Sequence, residues 1–320
     1  MAQTNGWSPT SRRRGFTLVE LLIGLVLGVL VIGAAITFLI HNLRILEGSD
    51  TRENVARNLR YVGVLLRQDL HRAGVDLKSS TSYGTVATWP GAPNDTLVLL
   101  HVPYVPEPAP AHNLDPTANM GIDPPPGEGT CGSLCVDLLK EPGSLLLQVG
   151  DLARLQVWNS RRLVIVDAID IVSPTQFQVT FRDTPLLLRQ PGALSDDFEL
   201  KLGQGYLQEL SPAVYYVDDG GRLIRATELN LDGTPNGQVA VHNVEEFELR
   251  LMFADGDEHE DADPNDTDDT NDYDDVVGVK VRVTLTASRV DPRVNNGELV
   301  RMTNEWKIAP RNLRYEKNRP

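Results

Sequence analysis

The sequence predicts an α+β fold in which one long N-terminal helix, first transmembrane and then amphipathic, packs on an antiparallel β-sheet that an additional β-rich region extends. Three observations predict it. Residues 16–40 form an apolar run with a single charge. Residues 53–74 repeat apolar side chains at helical spacing. From residue 76 onward the helical period is absent, and short apolar stretches alternate with turn signals instead.

The composition describes a folded protein with one unusual segment. Of the 320 residues, 41% are hydrophobic and 23% are charged. The formal charge of −14 argues against nucleic acid as the main partner, because phosphates attract basic proteins. Residues 255–275 hold 12 acids and neither Lys nor Arg. Removing those 12 charges from −14 leaves −2, so the acidic balance belongs to this segment.

The run at residues 16–40 has the length and apolarity of a membrane-spanning helix. At about 1.5 Å per residue it covers roughly 38 Å, which exceeds a hydrocarbon core of about 30 Å. Arg12, Arg13 and Arg14 precede it, and no comparable basic cluster follows closely. The positive-inside rule then places the N-terminus in the cytoplasm and the rest of the chain outside it. The run is too long for a cleaved secretory signal, and no small-residue cleavage site follows it.

Glu20 is the single charge in this run, and an unpartnered carboxylate in hydrocarbon costs at least about 2 to 3 kcal/mol. The surrounding residues, Arg14-Gly15-Phe16-Thr17-Leu18-Val19-Glu20, resemble the type III signal of type IV prepilins. The resemblance implies that prepilin peptidase removes residues 1–15 as a cytoplasmic leader, cutting after Gly15, and that Phe16 is then N-methylated. It also implies that Glu20 neutralises the α-ammonium group of a neighbouring subunit. In a low dielectric such a pair favours one vertical register during assembly.

Residues 41–75 are predicted to continue as an amphipathic helix outside the membrane. Gly48 and Ser49 are expected to loosen it, and Asp50 with Glu53 has the pattern of a capping box. Gly74 has the position of a C′ residue. The apolar stripe that is expected to pack under the sheet consists of Val55, Leu59, Val62, Leu66 and Ala73, and the arginines that are expected to face outward are Arg57, Arg60, Arg67 and Arg72.

Residues 53–76 resemble the segment that follows the membrane helix in PilW-type minor pilins and in type II secretion J-type pseudopilins. The resemblance implies a pilin-like fold, a role in priming pilus assembly at or near the tip, and location first in the inner membrane and then in the pilus. The implied partners are other minor and major pilins, prepilin peptidase and the inner-membrane assembly platform. The chain length favours the PilW type. The residues that carry the resemblance are Asn54, Arg57, Leu66, Asp69, Leu70, Arg72, Ala73 and Gly74.

Residues 76–320 are predicted to form one β-rich periplasmic or extracellular globular domain. Alternating valines at 277–283 are typical of a half-buried strand. The candidate strands are residues 96–102, 145–149, 154–157, 163–169, 176–182, 198–202, 214–217, 223–226, 239–243, 247–253, 276–287 and 303–308.

The two cysteines, Cys131 and Cys135, are separated by three residues within Cys-Gly-Ser-Leu-Cys. In an oxidising compartment this spacing favours a small disulfide loop between them. A zinc site needs more ligands than this stretch offers, because the nearest histidine is His112. A disulfide is therefore the prediction here.

Three interpretations of the acidic segment, residues 255–275, stay open. The first is a solvated loop that repels itself and stays extended. The second is a Ca²⁺ site, because hard cations bind several carboxylate oxygens, with the candidate ligands Asp255, Asp257, Asp266 and Asp268. No EF-hand loop matches the segment. The third is an electrostatic contact with a basic patch on a neighbouring subunit.

The sequence contains none of the usual catalytic signatures, namely a nucleophile elbow, a zinc-protease motif, a phosphate-binding loop or a dinucleotide-binding loop. We therefore expect a structural protein and no enzyme, with no certain cofactor. Three functions remain as alternatives: a minor type IV pilin, a J-type pseudopilin of a type II secretion system, and a membrane-anchored periplasmic binding module, with or without dependence on calcium.

Overall fold

A computed structural model of the chain describes residues 17–81, 84–104, 107–114, 135–139, 145–157, 160–174, 176–182, 205–264, 270–290 and 297–313. Its first element is the helix α1, Leu18–Leu70, which is 53 residues long. The expected loosening at Gly48 and restart at Asp50 are wrong, because α1 passes through both positions. One glycine inside a helix costs only about 1 kcal/mol, whereas a new start requires a costly first turn.

The end of α1 lies earlier than the sequence predicts. The helix ends at Leu70, with His71 as its cap, and tight turns follow up to residue 76. Gly74 has the left-handed φ of +75° that favours glycine, but it lies within these turns. Its N–H donates to the carbonyl of Leu100 at 3.0 Å, which ties the turns to the neighbouring strand.

The larger sheet is antiparallel throughout its described pairs. Along its main path the strand order is β1-β2-β8-β5-β6-β7-β4. In addition, β3 pairs with β8 and β9 pairs with β8, and β10 pairs with β9 alone among the described strands. The bounds are β1 Val86–Trp89, β2 Thr96–His101, β3 His112–Asn113, β4 Cys135–Leu139, β5 Leu152–Val157, β6 Ser160–Ser173, β7 Gln176–Arg182, β8 Gly205–Val217, β9 Leu223–Leu229 and β10 Pro235–Val241.

The smaller sheet follows in the chain and is also antiparallel, with the strand order β12-β11-β13-β14. A short 3-10 helix, Tyr273–Asp275, leads directly into β13. The bounds are β11 Val244–Phe253, β12 Glu258–His259, β13 Val276–Thr286 and β14 Arg301–Ile308.

The main core joins α1 to both sheets. The predicted apolar stripe of α1 is buried along its whole length, and the four predicted arginines are exposed. Helix and small sheet approach each other closely at Gly63, where an added Cβ atom would lie 2.8 Å from the Trp306 ring. A second apolar cluster lies within the larger sheet and includes Leu138, Leu155, Val164 and Phe181. The predicted α+β fold is thus confirmed.

Most individual strand predictions agree with the described residues. The strand 176–182 coincides with β7, and 276–287 matches β13 to within one residue. The prediction of a strand at 145–149 is wrong, because those residues pair with no strand in the described part of the chain. The strand predicted at 239–243 begins and ends earlier, as β10. Residues 198–202 lie outside the described residues. β1 and β4 were not predicted, since four- and five-residue strands have little pattern of their own.

Candidate functional site

The N-terminal end of α1 is closed by a reciprocal capping box between Thr17 and Glu20. The Glu20 N–H donates to Thr17 Oγ1 at 3.3 Å. In return, Glu20 Oε2 accepts the Thr17 N–H and the Thr17 hydroxyl, each at 3.0 Å. These bonds occupy groups that the first helical turn otherwise leaves unpaired. The carboxylate that the sequence singles out therefore has a local partner in its own chain, while Gly15 and Phe16 lie outside the described residues.

The first half of α1 is apolar on every face and exposed. Residues Leu18–Leu43 have a mean hydropathy of 2.8, and none of this stretch is buried within the chain. By length and composition it is able to cross a membrane. The Thr37 hydroxyl donates to the Gly33 carbonyl at 2.8 Å, so this polar group is satisfied within the helix. Such an exposed apolar surface is suited to contact with lipid or with other apolar helices.

The second half of α1 ends in a buried ion pair that the sequence does not reveal as such. The Asp69 side chain is 3% exposed, and the Arg225 side chain in β9 is 28% exposed. Arg225 donates from Nε to Asp69 Oδ2 at 2.6 Å and from Nη2 to Asp69 Oδ1 at 2.8 Å. The Tyr215 hydroxyl in β8 also donates to Asp69 Oδ2. Burial and the neighbouring Asp69 raise the pKa of Tyr215 above its ordinary value, so its hydroxyl stays a donor.

Asp69 could have been noticed from its spacing alone. It lies three residues after Leu66 and seven after Val62, on the stripe whose other members are apolar. A carboxylate on a buried helical stripe needs a partner, because an unpaired buried charge is costly. The partner itself was not predictable, since Arg225 is 156 positions away in the chain.

The acidic segment folds back on the protein in its described parts, residues 255–264 and 270–275. Glu258 lies in β12 and pairs with Lys280 at 3.0 Å and Lys307 at 2.6 Å. Tyr273 is 3% exposed, and its N–H donates to the Thr81 carbonyl at 3.2 Å. The interpretation as an extended loop is therefore wrong for these parts, because buried side chains and lysines from β13 and β14 offset the repulsion between its acids.

The calcium interpretation has little support from the described residues. Asp255 Oδ1 accepts the N–H of Asp257 at 3.0 Å, a local turn contact, and Asp266 and Asp268 lie outside the described residues. Within the part of the chain that the structure describes, no group of three or more His, Cys, Asp or Glu side chains is arranged to hold a metal ion. Calcium binding stays a prediction, and a melting temperature that Ca²⁺ raises and EDTA restores would test it.

Cys135 lies in β4, where it pairs with Thr180 of β7. It is 5% exposed and disulfide-bonded. Cys131, the other cysteine of the sequence, lies outside the described residues. The predicted bridge between the two stays a prediction.

One protein-family model matches part of the chain. The model of the prokaryotic N-terminal methylation motif matches residues 10–36, which include Arg12, Gly15, Phe16 and Glu20. No curated protein sequence matches the chain. A type IV-like pilin from Thermus thermophilus is similar in structure at 10% sequence identity and a TM-score of 0.35, over 81% of this chain and 97% of that one. Residues 10–36 of the chain therefore carry the prokaryotic N-terminal methylation motif.

Proposed function

We propose that the chain is a minor type IV pilin of PilW type, a structural subunit that primes pilus assembly at or near the tip. Prepilin peptidase removes residues 1–15 by cutting between Gly15 and Phe16, and Phe16 is then N-methylated. Before assembly the chain is anchored in the inner membrane, with its N-terminus in the cytoplasm and its β-rich part in the periplasm. The observation that supports this proposal is the methylation motif at the head of an exposed apolar helix.

The continuity of α1 supports a role in assembly. A helix of 53 residues is roughly 80 Å long, and its two halves have different surroundings. The first half is exposed, whereas the second is fixed to both sheets by the apolar stripe and by the Asp69–Arg225 pair. When the membrane segment moves from the lipid into a filament, the β-rich part therefore moves with it.

Glu20 has a second role in this proposal. Oε2 accepts both hydrogen bonds from Thr17, and the described residues give Oε1 no hydrogen bond. An α-ammonium group on the Phe16 of a neighbouring mature subunit would pair with this carboxylate, and any other register would leave two charges unpaired in a low dielectric. The same carboxylate would thus cap its own helix and set the register of the next one.

Intact mass spectrometry of the protein purified from its native cells tests the processing step. We expect a chain that starts at Phe16 and carries one additional methyl group. A chain that starts at Met1 contradicts the proposal. Counting surface pili after deletion of the gene tests the assembly step, because a priming subunit is needed for normal piliation. Unchanged piliation would favour the membrane-anchored binding module.

A J-type pseudopilin is the second candidate, because residues 53–76 resemble both groups. Deletion would then reduce protein secretion and leave piliation intact. Measuring both phenotypes in one deletion strain separates the two candidates.

A further inference from the structure

The second half of α1 keeps one face free of the rest of the protein. Its buried stripe begins at Val55, which is 5% exposed. β10 borders the helix on the side of Tyr61 and Leu65, and β14 borders it at Gly63. The outer face of α1, opposite the buried stripe, lies between these two contacts, and Val64 on it is 60% exposed. This outer face is therefore accessible to another chain.

Charged side chains on the outer face are separated by sign along the helix. At about 100° per residue, five exposed charges lie within about 60° of the line opposite Val55: Asp50, Glu53, Arg57, Arg60 and Arg67. Arg52 lies about 60° from Val55 and so on a different side of the helix. The two acids come first, and residues 54–68 contain three Arg and no acid. The outer face thus changes from acidic to basic with distance from the membrane segment.

Three of these five charges have no opposite charge as a partner in the part of the chain that the structure describes. Glu53 pairs with Arg57 at 3.1 Å, but the two side chains are 59% and 66% exposed. Arg60 donates to the backbone carbonyl one turn before it, at 3.3 Å. Asp50, Arg60 and Arg67 form no ion pair among the described residues. They are therefore available to charges on another chain.

We propose that the outer face of α1 binds the same face of a second copy of this chain, with the two helices parallel and staggered by about 18 Å. The midpoint of Asp50 and Glu53 and the midpoint of Arg60 and Arg67 are 12 positions apart, which is roughly 18 Å at 1.5 Å per residue. The stagger therefore places the two acids of one copy beside the two arginines of the other. The parallel orientation rests on the function proposed above, since both copies are anchored in one membrane.

The same charges disfavour a pair without stagger. Two copies at equal height would place Asp50 against Asp50 and Arg60 against Arg60, and like charges repel. Copies that share the membrane have equal height, because their apolar segments occupy the same depth. The attraction arises when one copy is raised, which happens when a subunit leaves the lipid for a filament. A staggered contact is heterologous, so it repeats along an open assembly.

This contact adds a second neighbour to the one that Glu20 contacts in the proposed function. Phe16 and Glu20 are four residues apart, so pairing between adjacent helices corresponds to an offset of about 6 Å. The contact at about 18 Å therefore joins each copy to a different, more distant neighbour. Exposed ion pairs are weak individually, so these charges select the relative height of two copies more than they contribute affinity.

Cross-linking in the native cells tests the partner and the stagger together. Two full-length variants, Asp50→Cys and Val64→Cys, carry different epitope tags and are produced in one strain. At a stagger of about 18 Å the two thiols lie about 3 Å apart along the helix axis. With a short bismaleimide we expect the mixed dimer several-fold more than the dimer of either variant with itself. The unsubstituted chain gives the background from Cys131 and Cys135.

Each other outcome of this experiment overturns the proposal. Preferred dimers of Val64→Cys with itself would indicate helices at equal height. Adducts with a different protein alone would identify another occupant of the outer face. Equal yields of all dimers, or no dimer above background, would show that the outer face makes no specific contact with a second copy.

Charge reversal in the same assay tests the physical cause of the stagger. Glu53→Arg in the Asp50→Cys copy should lower the yield of mixed dimer several-fold. Adding Arg60→Glu and Arg67→Glu to the Val64→Cys copy should restore it, because the two charge signs are then exchanged. Arg52→Glu in the Asp50→Cys copy is the matched control and should leave the yield unchanged. A yield that does not respond to Glu53→Arg, or that is not restored, overturns the proposal.

The mass of the mature chain separates failure of this inference from failure of the proposed function. Normal processing at Phe16 without a mixed dimer refutes only the staggered contact. Absent processing refutes the proposed function.

Discussion

The carboxylate of Asp69, at the end of α1, receives two hydrogen bonds from the guanidinium of Arg225 in β9, at 2.6 and 2.8 Å. Tyr215 donates a third from β8. The pair therefore fixes the end of the helix to two neighbouring strands of the larger sheet. A bidentate contact of this kind has one favourable geometry, so it orients the end of α1 relative to β9 as well as stabilising the folded state.

Replacing Asp69 should lower the free energy of unfolding strongly. In Asp69→Ala the Arg225 guanidinium loses its carboxylate partner and the Tyr215 hydroxyl loses its acceptor; because the Arg225 side chain is 28% exposed, we expect a loss of about 2 to 3 kcal/mol. Urea denaturation of the detergent-solubilised chain measures this loss. The control is Glu53→Ala, because the Glu53–Arg57 pair is 59% and 66% exposed and is expected to contribute less than about 0.5 kcal/mol. Equal effects in the two variants would contradict the assigned role of the pair.

Gly63→Ala should destabilise the protein although alanine is the better helix former. Helix propensity alone would add about 1 kcal/mol of stability. The new Cβ atom, however, would lie 2.8 Å from the Trp306 ring, and overpacking of a core typically costs about 1 to 3 kcal/mol. We expect a net loss in thermal unfolding. A gain in stability of about 1 kcal/mol, the full difference in helix propensity, would show that the Trp306 ring moves aside without cost.

His101 should make stability depend on pH. Burial, and then the charge of Arg72, lower the pKa of His101 below its ordinary value of 6.5. The unfolded chain therefore binds the proton first as the pH falls, so the contribution is complete above about pH 6.5 and is lost as the pH falls through the lower folded pKa. His101→Gln should reduce this dependence between pH 7 and the folded pKa in urea denaturation.

Two acidic side chains whose pKa values are raised have the opposite effect on stability, at lower pH. Burial, and then Asp151, raise the pKa of Glu209, and burial followed by Asp263 raises that of Asp261. Their protonation therefore favours the folded state in more acid solution. An unchanged pH profile in His101→Gln would assign the dependence near neutral pH to other groups.

Cys135→Ser should destabilise the β-rich part. Closing a loop as small as Cys131 to Cys135 lowers the entropy of the unfolded chain and contributes about 2 kcal/mol. Peptide mapping without reductant should show the two cysteines in one bridged peptide. A bridge to another chain, seen as a dimer that reductant separates, would contradict the predicted pairing.

Glu20→Ala should reduce incorporation into filaments while leaving cleavage after Gly15 intact. The variant removes the proposed partner of the neighbouring ammonium group and the Thr17 capping contacts. Glu20→Gln is the matched control, because its side-chain oxygen still accepts hydrogen bonds from Thr17 but carries no charge. Immunoblots of sheared pili should show a defect in both variants. Normal incorporation of Glu20→Gln would assign the role of Glu20 to capping.

Local patterns predicted the parts of the fold that depend on neighbouring residues. The apolar stripe from Val55 to Ala73 and strand β7 were readable because a helix and a strand each repeat with a fixed period. The same local patterns gave a wrong prediction at Gly48 and Asp50. A capping pattern lies there inside a continuous helix, because helical residues on both sides propagate the helix through it. The local patterns also missed β4, whose position depends on pairing with β7, about 40 residues later in the chain.

The sequence by itself determined the N-terminal segment, because charge, glycine, aromatic residue, glutamate and apolar length are all local properties of residues 10–40. Only the tertiary structure decided that Asp69 meets Arg225, that the acidic segment folds back over Thr81, and that β10 ends a sheet beside Tyr61. These relationships join residues far apart in the chain. Their existence depends on how strands pair and on which side of a sheet the helix packs, and no short stretch of sequence contains that information.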